Sequence, residues 1–158
     1  MIKIVACGKI KEPWMREGIQ EYTKRLKAYD KLEIVEVKDI EAKESFSDAQ
    51  FEQVKKEEGE RLLKQIKDDE YVILLDLKGE SLDSISLSKK VQDLYTQGKS
   101  KITFVIGGSL GVSKEVIQRA NYRLKLSDCT FPHQLCRIIL LEQIYRLFRI
   151  MHNEPYHK

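Results

Sequence analysis

Apolar positions along the chain fall into short dense runs, separated by stretches where they recur every three or four residues. Ile2-Lys3-Ile4-Val5-Ala6-Cys7 is the first run and predicts a short buried strand ending at Gly8. Pro13 suits the first turn of a helix, where its missing N–H costs nothing, and Trp14, Ile19, Tyr22, Leu26 and Tyr29 follow at helical spacing. Leu32 to Val37 alternates and predicts a second strand. Ser47-Asp48-Ala49-Gln50 has the capping-box pattern, so a helix should begin there, with Phe51, Val54, Leu62 and Ile66 on one face. The rest of that helix, including Lys55-Lys56-Glu57-Glu58, reads as a solvated surface. Tyr71 to Leu77 is almost continuously apolar, as strands buried on both faces are, and Gly79 is expected to end it.

The second half repeats the alternation. A helix fits Leu87 to Gln97, with Val91, Leu94 and Tyr95 inward and Gly98 as its stop. Ile102 to Ile106 is a fourth strand that runs straight into Gly107-Gly108-Ser109-Leu110-Gly111. Ser113 should cap a short helix, Lys114 to Ala120, and Tyr122 to Leu126 predicts a fifth strand. A polar loop then leads to a capped helix from about Gln134 to Met151, with Leu135, Ile138, Ile139, Leu141, Ile144, Tyr145 and Phe148 apolar. Strands alternating with helices predict an α/β fold, a mainly parallel sheet layered by helices. In such sheets ligands bind beyond the carboxyl ends of the strands, which directs attention to the segments after Leu77, Ile106 and Leu126.

Composition narrows this further. The 158 residues suit one domain, 1–158, and leave no room for a separate recognition domain. With 42% hydrophobic and 34% charged residues, the chain is neither disordered nor low in complexity. The start lacks a signal-peptide layout, and no apolar run approaches the roughly 18 residues a membrane span needs. The expected location is the cytoplasm, without a membrane partner. Cys7, Cys129 and Cys136 are odd in number, lack metal-ligand spacing and read as buried or half-buried thiols. The net charge of +3 conceals a division: Glu36 to Glu80 carries 14 acidic against 8 basic residues, whereas Gly111 to Lys158 carries 8 basic against 4 acidic. A basic C-terminal third hints at a phosphate-bearing partner, although ordinary solvated charge fits the numbers equally well.

Three segments are candidates for chemistry. The glycine-rich stretch Gly107 to Gly111 follows a buried strand and could bring backbone N–H groups against a phosphate, a carboxylate or a nucleoside. It is neither a P-loop nor a G-x-G-x-x-G fingerprint, and a tight strand-to-helix turn is the plain alternative. Leu126 to His133 forms a second wall, with Ser127, Asp128 and Thr130 as hydrogen-bonding groups. The last helix and tail bring Arg137, Arg146 and Arg149, suited to bidentate phosphate contacts, then Tyr156-His157-Lys158. Such a tail could equally fray. No nucleophile elbow and no metal-ligand pattern is present, so no metal is expected.

With those residues in view, the chain resembles the RlmH family, the small SPOUT-class rRNA methyltransferases. The likeness runs from Ile4-Val5-Ala6-Cys7-Gly8-Lys9 through Glu21-Tyr22-Thr23-Lys24-Arg25-Leu26 and Phe104 to Gly111. It continues through Thr130-Phe131-Pro132-His133-Gln134, Glu142-Gln143-Ile144-Tyr145-Arg146 and the ending Tyr156-His157-Lys158. The resemblance implies methyl transfer from S-adenosyl-L-methionine to N3 of a pseudouridine in large-subunit (23S) ribosomal RNA, by a homodimer acting on the assembled ribosome. It implies a C-terminal trefoil knot, which general topology rules would have rejected. It places the cofactor against Leu75, Gly107, Leu126, Ser127, Asp128, Cys129, Thr130 and Phe131. It makes His157 and Tyr156 candidates for handling the N3 proton, and Arg137, Arg146, Arg149 and Lys158 candidates for holding RNA phosphates. Because the chain is only mildly basic and lacks an added RNA-binding domain, whole ribosomes should be far better substrates than naked rRNA. Two other readings remain at this point: a nucleotide- or phosphate-binding α/β enzyme, and a ribosome-associated protein without catalysis.

Overall fold

A computed structural model describes residues 1–158. Ten elements alternate strictly. They are β1 (Ile2–Cys7), α1 (Pro13–Leu26), β2 (Leu32–Val37), α2 (Asp48–Leu63), β3 (Tyr71–Ser81), α3 (Ser84–Thr96), β4 (Ile102–Ile106), α4 (Lys114–Arg119), β5 (Tyr122–Lys125) and α5 (His133–Met151). All five strands are parallel, in the order β2-β1-β4-β3-β5. Continuous apolar runs therefore lie at the centre: every residue of β1 and of β4 is buried. The alternating β2 and β5 lie at the edges.

The helices cover both faces. Ile2, Ile4, Ile73, Phe104 and Leu124 point into one core with Leu26, Val91, Leu140, Ile144 and Phe148 of α1, α3 and α5. Val5, Cys7, Val72, Leu74 and Val105 point into a smaller one with Leu62 of α2 and Val116 of α4. Each fully buried Ile, Leu or Phe contributes roughly 1.5–3 kcal/mol. Crossovers that step toward β2 pass over the α1–α3 face and those that step toward β5 pass over the α2–α4 face. All four crossovers thus share one hand, as parallel sheets require.

Sequence signals placed most boundaries. Ser47 and Gln50 form the reciprocal capping box, and Ser113 caps α4. Several details differ. Gly79 does not end β3, because the strand breaks register between Leu75 and Glu80 and then pairs again with β5 as far as Ser81. The bulge residue Asp76 is tied to Arg123 of β5 through two hydrogen bonds, 2.8 and 2.6 Å. α3 starts earlier than the periodicity predicts, since Asp83 accepts from the Ser86 N–H and caps it. α5 has no capping side chain: Pro132 stands at its N-cap. Trp14 is 55% exposed rather than packed. Lys3 is buried within β1, its ammonium 2.7 Å from Glu70, whose other oxygen accepts from Thr103. No helix is long and apolar enough to cross a membrane.

Candidate functional site

The carboxyl ends of β3, β4 and β5 open into one cavity of about 500 Å³. The β3 bulge supplies Leu75 to Lys78, the turn after β4 supplies Gly107 to Val112, and the segment after β5 supplies Leu126, Ser127 and Cys129 to His133. Seven of the eight cofactor candidates line it, namely Leu75, Gly107, Leu126, Ser127, Cys129, Thr130 and Phe131. Asp128 does not. Its carboxylate turns out to solvent and pairs with Lys125 at 2.5 Å, which holds it below the ordinary carboxylate range.

The turn after β4 is tight for its own reasons. The Gly111 N–H returns to the Gly108 carbonyl at 3.1 Å, and Gly111 has a positive φ of 92°. A Cβ added at Gly107 would lie 2.5 Å from Val112 Cγ1, so a side chain there is excluded before any ligand arrives. On the facing wall, the Cys129 N–H is held by Ser127 Oγ at 2.9 Å. Burial and then the charge of Arg137 lower the pKa of His133, so this ring at the cavity edge favours its neutral form. Burial raises the thiol of Cys136. Cys129 is exposed, contrary to the reading of all three cysteines as buried or half-buried.

The tail packs back onto α5. Tyr156 stacks edge-on against Tyr145 at 5.1 Å, under the guanidinium groups of Arg146 and Arg149. Its hydroxyl donates to Glu142 Oε1 at 3.2 Å. His157 comes to rest on a second cavity of about 380 Å³, formed by Leu82 to Ile85, Ile139 and Gln143. This cavity shares Leu124, Leu126, Ser127 and Phe131 with the first. The candidate proton-handling residue and the candidate cofactor residues therefore meet across one common wall, not within one hollow.

The four basic candidates do not form one surface. Arg137 is 2% exposed. It binds Glu36 at 2.5 Å and the carbonyls of Cys7 and Gly8 at 3.0 and 2.6 Å, so it joins α5 to the top of β1 and has no face left for RNA. That corrects its expected role. Arg146 pairs with Glu142 at 2.6 Å and Arg149 with Glu154 at 2.6 Å, both half-buried. Lys158 is exposed.

The sequence reading missed Glu58. The charged run Lys55 to Glu58 predicts a solvated face, yet Glu58 is 4% exposed. It sits on the Val54–Leu62 stripe of α2, one helical turn from each, and that spacing was the available signal. Its Oε2 accepts from the Ile40 N–H at 2.9 Å. Burial, reinforced by the Glu58 charge, pushes the thiol of Cys7 up to about 12. No group of three His, Cys, Asp or Glu side chains is arranged to hold a metal ion.

Comparison with known proteins agrees with this geometry. The model of the family described as "Predicted SPOUT methyltransferase" matches residues 1–157. The chain is 51% identical over 157 residues to ribosomal RNA large subunit methyltransferase H of Acetivibrio thermocellus, covering 99% of each chain. It is 53% identical to the proteins of that name from Enterococcus faecalis and Ruminiclostridium cellulolyticum, again over 99% of each. With that likeness spanning nearly every residue, and with the strand-end cavity in place, the chain belongs to the SPOUT methyltransferases and, among them, to the RlmH family.

Proposed function

We propose that this protein transfers a methyl group from S-adenosylmethionine to N3 of a pseudouridine in large-subunit ribosomal RNA, working in the cytoplasm as a homodimer on the assembled ribosome. The observation that carries the reading is the meeting of Leu75, Gly107, Leu126 and Phe131 in one cavity at the strand ends. Its volume lies within the range of pockets that enclose a small organic ligand. Its lining fits the cofactor: Leu75, Leu126 and Phe131 offer apolar walls for an adenine ring, and the backbone of Gly107 and of 126–130 offers donors and acceptors for its edges. When bound, S-adenosylmethionine supplies a methyl group on a positively charged sulfur, which is electrophilic without help from a metal. What remains for the chain is to align the acceptor and to ease the loss of the N3 proton.

The tail suits the second task. The phenol of Tyr156 holds its proton more tightly than usual, through burial and the nearby Glu142, so it acts as a donor and not as a base. Arg146 lies 3.2 Å from His157 Nδ1. A guanidinium can only donate, so Nδ1 accepts and Nε2 carries the hydrogen of the neutral ring. His157 then presents an N–H to a carbonyl beside N3 and stabilises the negative charge that appears there when the N3 proton passes to water. Arg149 lies against Tyr156 of this tail and Lys158 ends it, and both would meet phosphates. Support for a second copy comes from Leu77 and Ile85, which border the two cavities and are each 57% exposed. The knotted C-terminal half belongs to the same proposal.

Removing Tyr156 to Lys158 should leave S-adenosylmethionine binding intact by calorimetry while methylation of ribosomes is lost. Unchanged turnover would refute the role of the tail. Nucleosides from the rRNA of a deletion strain should lack one methylated pseudouridine; an unchanged profile would refute the activity.

A further inference from the structure

We propose that Glu58 is a positioning residue: together with Gly59 it sets the shape of the glycine turn that lines the cofactor cavity. The inference rests on the reading of that cavity as the site of S-adenosylmethionine.

Neither residue borders the cavity; both belong to α2, behind the turn. The carboxylate of Glu58 is pinned at one oxygen by the Ile40 N–H, 2.9 Å away. Its other oxygen meets the turn, for a Cβ added at Gly108 would lie only 2.8 Å from Oε1. Gly59 meets the other end. A Cβ added there would lie 2.3 Å from Oγ of Ser113 and 3.2 Å from a Val116 methyl. Two consecutive residues of α2 therefore touch the two ends of the turn, Glu58 at Gly108 and Gly59 at Ser113. Between those ends, Ser109 to Val112 project into the cavity lining.

The chemistry of Glu58 argues that it is there for shape and not for packing. Val54 and Leu62, one turn away on the same stripe, are buried apolar residues. A leucine at 58 would pack between them without the cost of burying a carboxylate. It could not accept the Ile40 N–H, and it would put a branched methyl end where the flat carboxylate now lies against Gly108. The Cys7 thiol, pushed up to about 12, keeps its proton and stays a neutral neighbour of the carboxylate. Glu58 thus fixes where Gly108 lies, and Gly108 fixes where the rest of the turn begins.

The test uses the full-length chain with Glu58→Gln, Glu58→Ala, Gly108→Ala and the double variant Glu58→Ala/Gly108→Ala. Glu58→Gln should raise the Kd and the KM for S-adenosylmethionine about tenfold, with kcat and the KM for ribosomes within about twofold. Gly108→Ala alone should weaken cofactor binding roughly a hundredfold, but only about threefold once Glu58→Ala has vacated the space, because the two sites are in contact. A wild-type Kd in Glu58→Gln, or an equal loss from Gly108→Ala in both backgrounds, would overturn the proposal. If the wild-type chain gives no heat with S-adenosylmethionine, the cofactor reading has failed instead. The melting temperatures then decide: a Gly108→Ala loss that shrinks in the Glu58→Ala background supports the positioning role, and additive losses overturn it.

Discussion

The turn from Gly107 to Ser113 and the loop from Leu126 to Pro132 face each other across one cavity, yet they are anchored in different ways. The turn is closed by the Gly108–Gly111 bridge, backed by α2, and ends in a buried serine that caps α4. The loop carries Asp128, Cys129 and Thr130 exposed, its bonds are local, and the helix that follows starts without a capping side chain. One wall is set before a ligand arrives. The other has little to oppose closing over the ligand once it is bound, apart from Leu126 and Phe131 seated in the cavity and Arg137 holding α5. Preorganising one side limits the conformational cost of binding, and leaving the other adaptable allows entry and release.

The largest effect should come from damaging the fixed wall. Gly107→Leu should weaken S-adenosylmethionine binding by about a hundredfold or more, since even a Cβ meets Val112 at 2.5 Å. Affinity within tenfold of wild type would show that this wall yields. Next is the anchor of the adaptable side. Arg137→Met leaves the carbonyls of Cys7 and Gly8 without their donor and should cost about 2 kcal/mol in urea unfolding, each buried unsatisfied group costing about 1–3 kcal/mol. A change under about 0.5 kcal/mol, the range of ordinary surface substitutions, would mean that Arg137 holds nothing.

A smaller effect would report the loop itself. Cys129 is exposed while Cys7 is buried with its pKa near 12, so an alkylating reagent at neutral pH should modify Cys129 first. Saturating S-adenosylmethionine should slow that reaction about tenfold, because Cys129 lines the cavity the ligand would fill. Unaltered labelling would place the ligand elsewhere. The smallest effect is a pH dependence at the foot of the same loop. The folded-state pKa of His133 lies below its ordinary 6.5, so the unfolded chain binds its proton more readily. Stability from this group is complete above pH 6.5 and falls as the pH drops below it. Comparing wild type with His133→Gln between pH 7 and pH 5 should show a slightly steeper loss in the wild type, and parallel curves would refute the shift.

The sheet, most helix starts and the three segments that build the cavity were legible because apolar runs, caps and glycines act locally. Glu58 and Arg137 were misread for one shared reason. Both are charged residues on an apolar stripe, Glu58 between Val54 and Leu62 and Arg137 one turn before Leu140 and Leu141. Composition suggested solvent for both, while position required burial. What decided the matter were partners far along the chain, Ile40 for one and Glu36, Cys7 and Gly8 for the other, and no local pattern reveals those. The tail was underdetermined for a similar reason, because its order comes from Tyr145, Arg146 and Arg149 on α5 and not from its own seven residues.

The place of β4 has a consequence for how the protein is made. β1 and β3 never pair with each other; each pairs with β4 on its inner side. While a ribosome is still adding the first hundred residues, the β1–β2 pair and β3 have no shared partner, and the apolar edges of both stay open. Only when residues 102–106 emerge can five buried side chains close the gap, and only the residues after them can supply the helix that roofs the larger core. Folding of this chain is therefore expected to be a late event in synthesis, completed close to its end, with the nascent half dependent on being kept from other exposed strand edges until then.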